Sequence, residues 1–126
     1  MLNQLRQRVG EALSSTQKVV LSSSGPAGIQ AENLVCAAVG MVLYVLVPKT
    51  SDLLFNLENN AQVVASADGW QVRGLARVLA PGAYPDQLAI ARTPAAVWSE
   101  VVEIKPSRLQ LRPTPGHGQG ETIDIC

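Results

Sequence analysis

Two arginines, Arg73 and Arg77, stand in a stretch of alternating character that runs from Trp70 to Leu79. Gln71, Arg73, Leu75, Arg77 and Leu79 fall on one side of such a strand, and Trp70, Val72, Gly74, Ala76 and Val78 on the other. Both guanidinium groups therefore share a face. Such a pair can clamp a phosphate or carboxylate bidentately, or can simply face water. Ser22, Ser23 and Ser24 precede Gly25-Pro26-Ala27-Gly28, so their hydroxyls serve either the turn or a ligand's polar edge. Glu32, in mid-strand, either meets a substrate or lies on a solvated face. Trp70 and Trp98 offer large rings for stacking, although core or interface packing suits them as well.

Other chemistries lack their parts. His117 is the one histidine and sits among Pro113, Pro115, Gly116, Gly118 and Gly120, where nothing holds an imidazole for a Ser-His-Asp arrangement. Cys36 lies in an apolar stretch and Cys126 is the last residue. Neither forms a closely spaced metal-ligand pair. No catalytic side chain and no metal site are expected. Ten basic and ten acidic residues cancel, so no excess charge drives binding to a nucleic-acid backbone. The apolar run Val35 to Val47 falls short of the about 20 residues that cross a bilayer. Gln4, Arg6, Gln7, Arg8 and Glu11 interrupt any signal-peptide core, and a cytoplasmic location is expected.

The elements that must position these residues read mostly as β. With 126 residues, 47% hydrophobic and 16% charged, the chain suits one folded domain over 1–126. Leu2, Leu5, Val9, Ala12 and Leu13 give an apolar stripe on an N-terminal helix over 1–15. Lys18 to Ser23 and Ile29 to Val39 form a hairpin, with Gln30, Glu32, Leu34, Cys36 and Ala38 sharing one face. Gly40 breaks the second strand. Met41 to Val47 is apolar on both faces and should be central and doubly covered. Pro48 stops it, and Ser51 caps a short helix carrying Leu53, Leu54 and Leu57. Asn59-Asn60 can close that helix in left-handed geometry.

Gln62 to Ala67 resumes β character, and Asp68-Gly69 makes a tight turn into the arginine strand. Pro81, Gly82, Pro85 and Pro94 mark a long connection, with a helical turn around Asp86 to Ala91. A strand from about Ala96 to Ile104 follows, then Pro106 and a short β piece, Leu109 to Leu111. A loop-rich tail covers 113–126, within which Thr122 to Ile125 can pair back on the sheet. No internal repeat is present. About six strands in so small a domain cannot leave bare edges, and barrel closure removes them.

The stretch from Leu43 through Lys49-Thr50-Ser51 and Asn56-Leu57 to Val64 resembles the pyridoxamine-phosphate-oxidase-like split-barrel family. In that family an apolar strand leads into a Ser-started helix and a return strand. Asp68-Gly69, Val72 to Ala76 and Val101 to Pro106 continue the same order, so the resemblance covers roughly 2–111. It implies a mainly β, homodimeric split barrel with FMN at the dimer interface, acting as an oxidoreductase. It places the phosphate near Lys49, Thr50 and Ser51; on the residue types read above, Arg73 is a further candidate to hold it, and Ser22, Ser23, Ser24 and Trp70 are candidates to meet the ring. The chain departs from the pattern at Leu53, where many members carry Lys, and in lacking an Arg on the strand before Met41. These departures imply an alternative: a non-catalytic homodimer serving as a sensor or ligand-binding module. A haem or deazaflavin binder on the same barrel is a third.

Overall fold

The computed structural model describes residues 16–111 and 121–124 together with Gln7, Gly10, Glu11 and Leu13. Those last four are helical, and Leu13 is fully buried in the main core. The rest of the expected N-terminal helix lies outside the described residues, as do His117, Cys126 and most of the tail.

Seven strands form one antiparallel sheet: β1 (Lys18–Ser23), β2 (Gln30–Val39), β3 (Val42–Pro48), β4 (Gln62–Ala67), β5 (Trp70–Val78), β6 (Ser99–Leu111) and β7 (Glu121–Asp124). Their order is β3-β2-β1-β4-β5-β6-β7, and a further pairing of β3 with β6 closes the first six into a barrel. Closure removes the edges that so small a sheet would otherwise expose. One helix, α1 (Asp52–Asn59), follows β3. No helix among the described residues is long and apolar enough to cross a membrane.

Alternation decides which side chains enter the barrel. Val19 and Leu21, Leu34 and Cys36, Val63 and Ala65, Trp70 and Val72, and Val102, Ile104 and Leu109 all point inward and are buried. Burying each large side chain of this kind stabilises the fold by about 1.5–3 kcal/mol. Strand β3 is covered on both sides, as its unbroken apolar run predicts. Leu43, Val45 and Val47 face the barrel interior, while Tyr44 and Leu46 face a second cluster with Leu79, Leu88 and Val101. The connection over 80–98 supplies the cover, and its Tyr84, Ile90 and Ala96 pack there. Leu79 keeps the outer face on which alternation puts it, and it is buried because the connection covers that face.

Three local expectations need correction. The last long strand begins at Ser99, since Pro94–Trp98 is a 3-10 turn, and it runs through Pro106 to Leu111 as one element. Pro106 is tolerated because the ladder is already broken there. The pairing with β3 ends at Ile104, that with β7 begins at Arg108, and the register with β5 shifts between Arg73 and Gly74, so a missing N–H disturbs little. Asn60 is extended, and its N–H closes α1 on the Asn56 carbonyl at 2.8 Å without left-handed geometry. The helical turn expected around Asp86 to Ala91 forms at Ala89–Arg92. The Asp68-Gly69 hairpin is present, with Gly69 at φ +89°.

Candidate functional site

Polar groups gather in two places, the start of α1 and a groove on the outside of the barrel. At the first, Pro48 ends β3, Lys49 and Thr50 make an exposed turn, and Ser51 caps the helix. The Ser51 hydroxyl accepts from the Leu53 N–H at 3.1 Å, which satisfies one of the unpaired first-turn amides. It also donates to the carboxylate of Glu32, which reaches it from β2. Asp52 stands in the first turn. Two acidic residues therefore already complement the positive helix end. Leu53 is fully buried in the barrel core. The Lys49 N–H donates to the Trp98 carbonyl at 2.9 Å, which fixes the exposed Trp98 beside this turn and not beside the groove.

This start is a poor phosphate cradle. A phosphate added there would lie beside the Glu32 carboxylate, and like charges about 4 Å apart repel by about 4 kcal/mol at the effective dielectric of a protein surface. Leu53 brings no cation, which leaves Lys49 as the only one in the turn.

The second place is built on Asn56, which is fully buried on α1. Its amide accepts from the Ala27 N–H at 3.0 Å and donates to Ser23 Oγ at 3.1 Å and the Gly28 carbonyl at 2.9 Å. Those three bonds pin the β1–β2 turn to the helix and hold Ser23 in place. A Cβ at Gly25 would lie 2.7 Å from Asn56 Oδ1, so the close approach requires glycine. Asn60 extends the same link, donating to the Ser24 carbonyl at 3.3 Å and accepting from the Gln62 N–H at 3.1 Å. Beside this scaffold lies an open groove of about 620 Å³, a size suited to a small-molecule ligand. Ser22, Ser24, Gln62, Arg73 and Ser107 give it polar walls, and Ile29, Val64 and Leu75 give it apolar ones.

The structure thus brings Ser23 and Arg73 to one groove and leaves Lys49, Thr50 and Ser51 outside its walls. Trp70 must be corrected as a ligand contact. It is buried inside the barrel, and its indole N–H donates to Thr16 Oγ1 at 3.0 Å. Arg77 does not join Arg73. It pairs with Glu103 at 3.3 Å, and Glu103 also meets Lys105 at 3.9 Å. Burial first, then the Glu103 carboxylate, raise the Tyr44 phenol above its ordinary value. Burial likewise pushes the Cys36 thiol up to about 11, which keeps it protonated and unreactive. Among the described residues, no three His, Cys, Asp or Glu side chains group as a metal site.

No family model matches this sequence, and no curated protein matches it. Solved structures do. A candidate pyridoxamine 5′-phosphate oxidase from Listeria innocua superposes with a TM-score of 0.68 at 18% identity, over 85% of this chain and 97% of its own. General stress protein 26 from Bacillus anthracis superposes with a TM-score of 0.69 at 17% identity, over 97% and 99%. A heme binding protein from Mycobacterium smegmatis gives 0.67 at 16% identity, over 92% and 57%. An FAD-binding protein from Mesorhizobium loti and an F420 reductase, both with TM-scores of 0.60, share the architecture. The groove lined by Ser22–Ser24 and Arg73 thus sits on a barrel whose structural neighbours include proteins named for heme, FAD and F420, and the chain has the fold of the pyridoxamine 5′-phosphate oxidase-like split-barrel proteins.

Proposed function

We propose that the protein is a small flavin-binding split barrel, working as a homodimer, that takes a flavin such as FMN into the groove between Ser22–Ser24 and Arg73. One observation carries this reading: three serines, the Gln62 amide and an arginine converge with apolar Ile29, Val64 and Leu75 in a single groove of ligand size. Hydroxyls and the amide suit the polar edge of the ring, the apolar side chains suit its faces, and Arg73 suits an anionic tail. A bound flavin supplies hydride or electron transfer. The chain's part is to bind and orient it, with no side chain acting as acid or base.

Val20 and Val35 stand partly exposed on the neighbouring strands β1 and β2, apolar side chains that a second copy would cover. Light scattering at micromolar concentration should give twice the chain mass. A monomer would remove the dimer from this reading.

Glu32 on Ser51 and the buried Leu53 favour a second reading, in which the barrel has lost tight flavin binding and serves as a sensor or ligand-binding module. Lys49, Thr50 and Ser51 remain a rival phosphate position within the first reading. Absorbance of the purified protein, with mass spectrometry of any released ligand, separates the possibilities. Flavin absorbance that is lost in an Arg73→Ala, Ser24→Ala double variant supports the flavin reading. A Soret band points to haem, and a released deazaflavin points to that cofactor. A colourless protein that takes up no added flavin leaves the module.

A further inference from the structure

At the end of the barrel near α1, two strands finish their inward-facing rows in an opening. On β5, Trp70, Val72 and Ala76 point inward and are buried, whereas Val78, the last inward position, is 41% exposed. On β6, Val102 and Ile104 point inward and are buried, and the inward position before them is Glu100, set opposite the buried Val47. An apolar side chain and a carboxylate thus stand where the pattern of the barrel calls for cover.

The opening is a cleft of about 420 Å³. Leu54 of α1 with Val78, Ala80 and Pro81 gives it apolar walls, and Glu58 of α1 and Glu100 bring carboxylates to it. Leu54 and Glu58 are one helical turn apart and share a face of α1. No lysine or arginine lines the cleft, and among the described residues neither glutamate makes a hydrogen bond or an ion pair. Other acidic groups of the barrel are matched: Glu103 by Arg77 and Lys105, and Glu32 by the Ser51 hydroxyl. The chain's own flanks are tied to the opposite end. Thr16 meets Trp70 there, and β7 pairs with β6 as far as Leu111, about 35 Å along the strand from Glu100 at the usual rise per residue.

We infer that this cleft is a docking site for a basic, apolar peptide segment of another protein, which lays an apolar side chain against Leu54 and Val78 and sets a lysine or arginine against each of Glu58 and Glu100. Charge complementarity selects that occupant: two unmatched carboxylates on apolar walls attract cations and turn away acidic segments. Lysine and arginine suit the cleft doubly, because they lay an apolar stem along such a wall and carry the charge at its tip. The cleft and the groove of Ser22–Ser24 and Arg73 share no lining residue, so the two can be occupied independently and the docking site does not depend on the flavin reading.

Titration of the purified, isotope-labelled protein with two synthetic peptides, acetyl-Lys-Leu-Leu-Lys-amide and acetyl-Glu-Leu-Leu-Glu-amide, followed by amide NMR shifts, tests the site. The basic peptide should shift the amides of Leu54, Glu58, Val78, Ala80 and Glu100 to saturation and bind at least about tenfold more tightly than the acidic one. Added salt should shrink that preference. A Glu58→Gln, Glu100→Gln double variant should lose it with an unchanged melting temperature, since neither carboxylate gives up a partner. Val78→Lys, which brings a cation into the cleft from the chain itself, should abolish binding of the basic peptide. Equal affinity for the two peptides, no saturable shift, shifts centred away from the cleft, or a preference that survives the double variant would overturn the inference. Shifts of the same amides on simple dilution of the free protein would overturn it too, by assigning the cleft to a second copy.

Discussion

The start of α1 and the rim of the groove both place polar groups near the barrel surface, but they treat charge in opposite ways. At the helix start the chain supplies its own anion. Glu32 crosses from β2 to Ser51, Ser51 caps the helix, and Leu53 fills the core. At the groove rim Arg73 stands in the wall with no acidic residue among those that line the groove. A helix N-terminus is therefore not a ligand site merely because it is positive. What matters is whether the chain has already satisfied it.

Substitutions in and between the two regions differ in the size of the effect expected. The largest is Asn56→Ala, which removes three hydrogen bonds beneath the groove and leaves the Ala27 N–H and the Gly28 carbonyl without that partner. It should cost about 3 kcal/mol in urea denaturation and should weaken flavin binding, because Ser23 loses its anchor. Unchanged stability would mean that the groove is not built on Asn56.

The barrel core between the two regions supplies a pH reference. Burial raises the Cys36 thiol from 9.0 to about 11, so the folded state holds this proton more tightly than the unfolded one. Its stabilisation is complete below pH 9 and is lost as the pH rises toward 11, on the order of 2 kcal/mol in total. Thiol reagents at pH 8 should label Cys36 only after unfolding. Rapid labelling of the native protein would contradict its placement in the core.

Next comes Ser51→Ala, which removes the cap and leaves the Glu32 carboxylate without the Ser51 hydroxyl. A loss of about 2 kcal/mol is expected, with flavin affinity unaltered. Smallest is Arg77→Ala. Its pairing with Glu103 is exposed, with the Arg77 side chain 68% accessible, so it should cost less than about 1 kcal/mol and should not alter ligand binding. A marked loss of affinity would bring Arg77 back beside Arg73.

Much of the frame was legible in the residues, and the reasons are local. The unbroken run before Pro48 marks a strand covered on both faces, Ser51 marks a helix start, and Asp68-Gly69 marks a hairpin, each through neighbours a few positions away. What escaped is set by partners distant in the chain. Glu32 meets Ser51 across 19 positions, and Ser107 meets the Arg73 carbonyl where the register of the ladder shifts. Alternation correctly aligns Arg73 with Arg77 but cannot show that Glu103 lies opposite the second. The same alternation puts Trp70 on the inner face, where Thr16 takes its N–H. Its ring was a ligand candidate only while the direction of that face was unknown. Pro106 looked like a strand end because the change of neighbour that accommodates it is a tertiary fact.

On the proposed function the ligand sits against the groove and not against the helix start. Flavin dissociation constants for two double variants, Ser24→Ala with Arg73→Ala and Lys49→Ala with Ser51→Ala, test it most directly. Weaker binding in the first by at least about tenfold, with affinity in the second close to that of the native protein, is the predicted result. The reverse pattern would contradict the claim and return the phosphate to the start of α1.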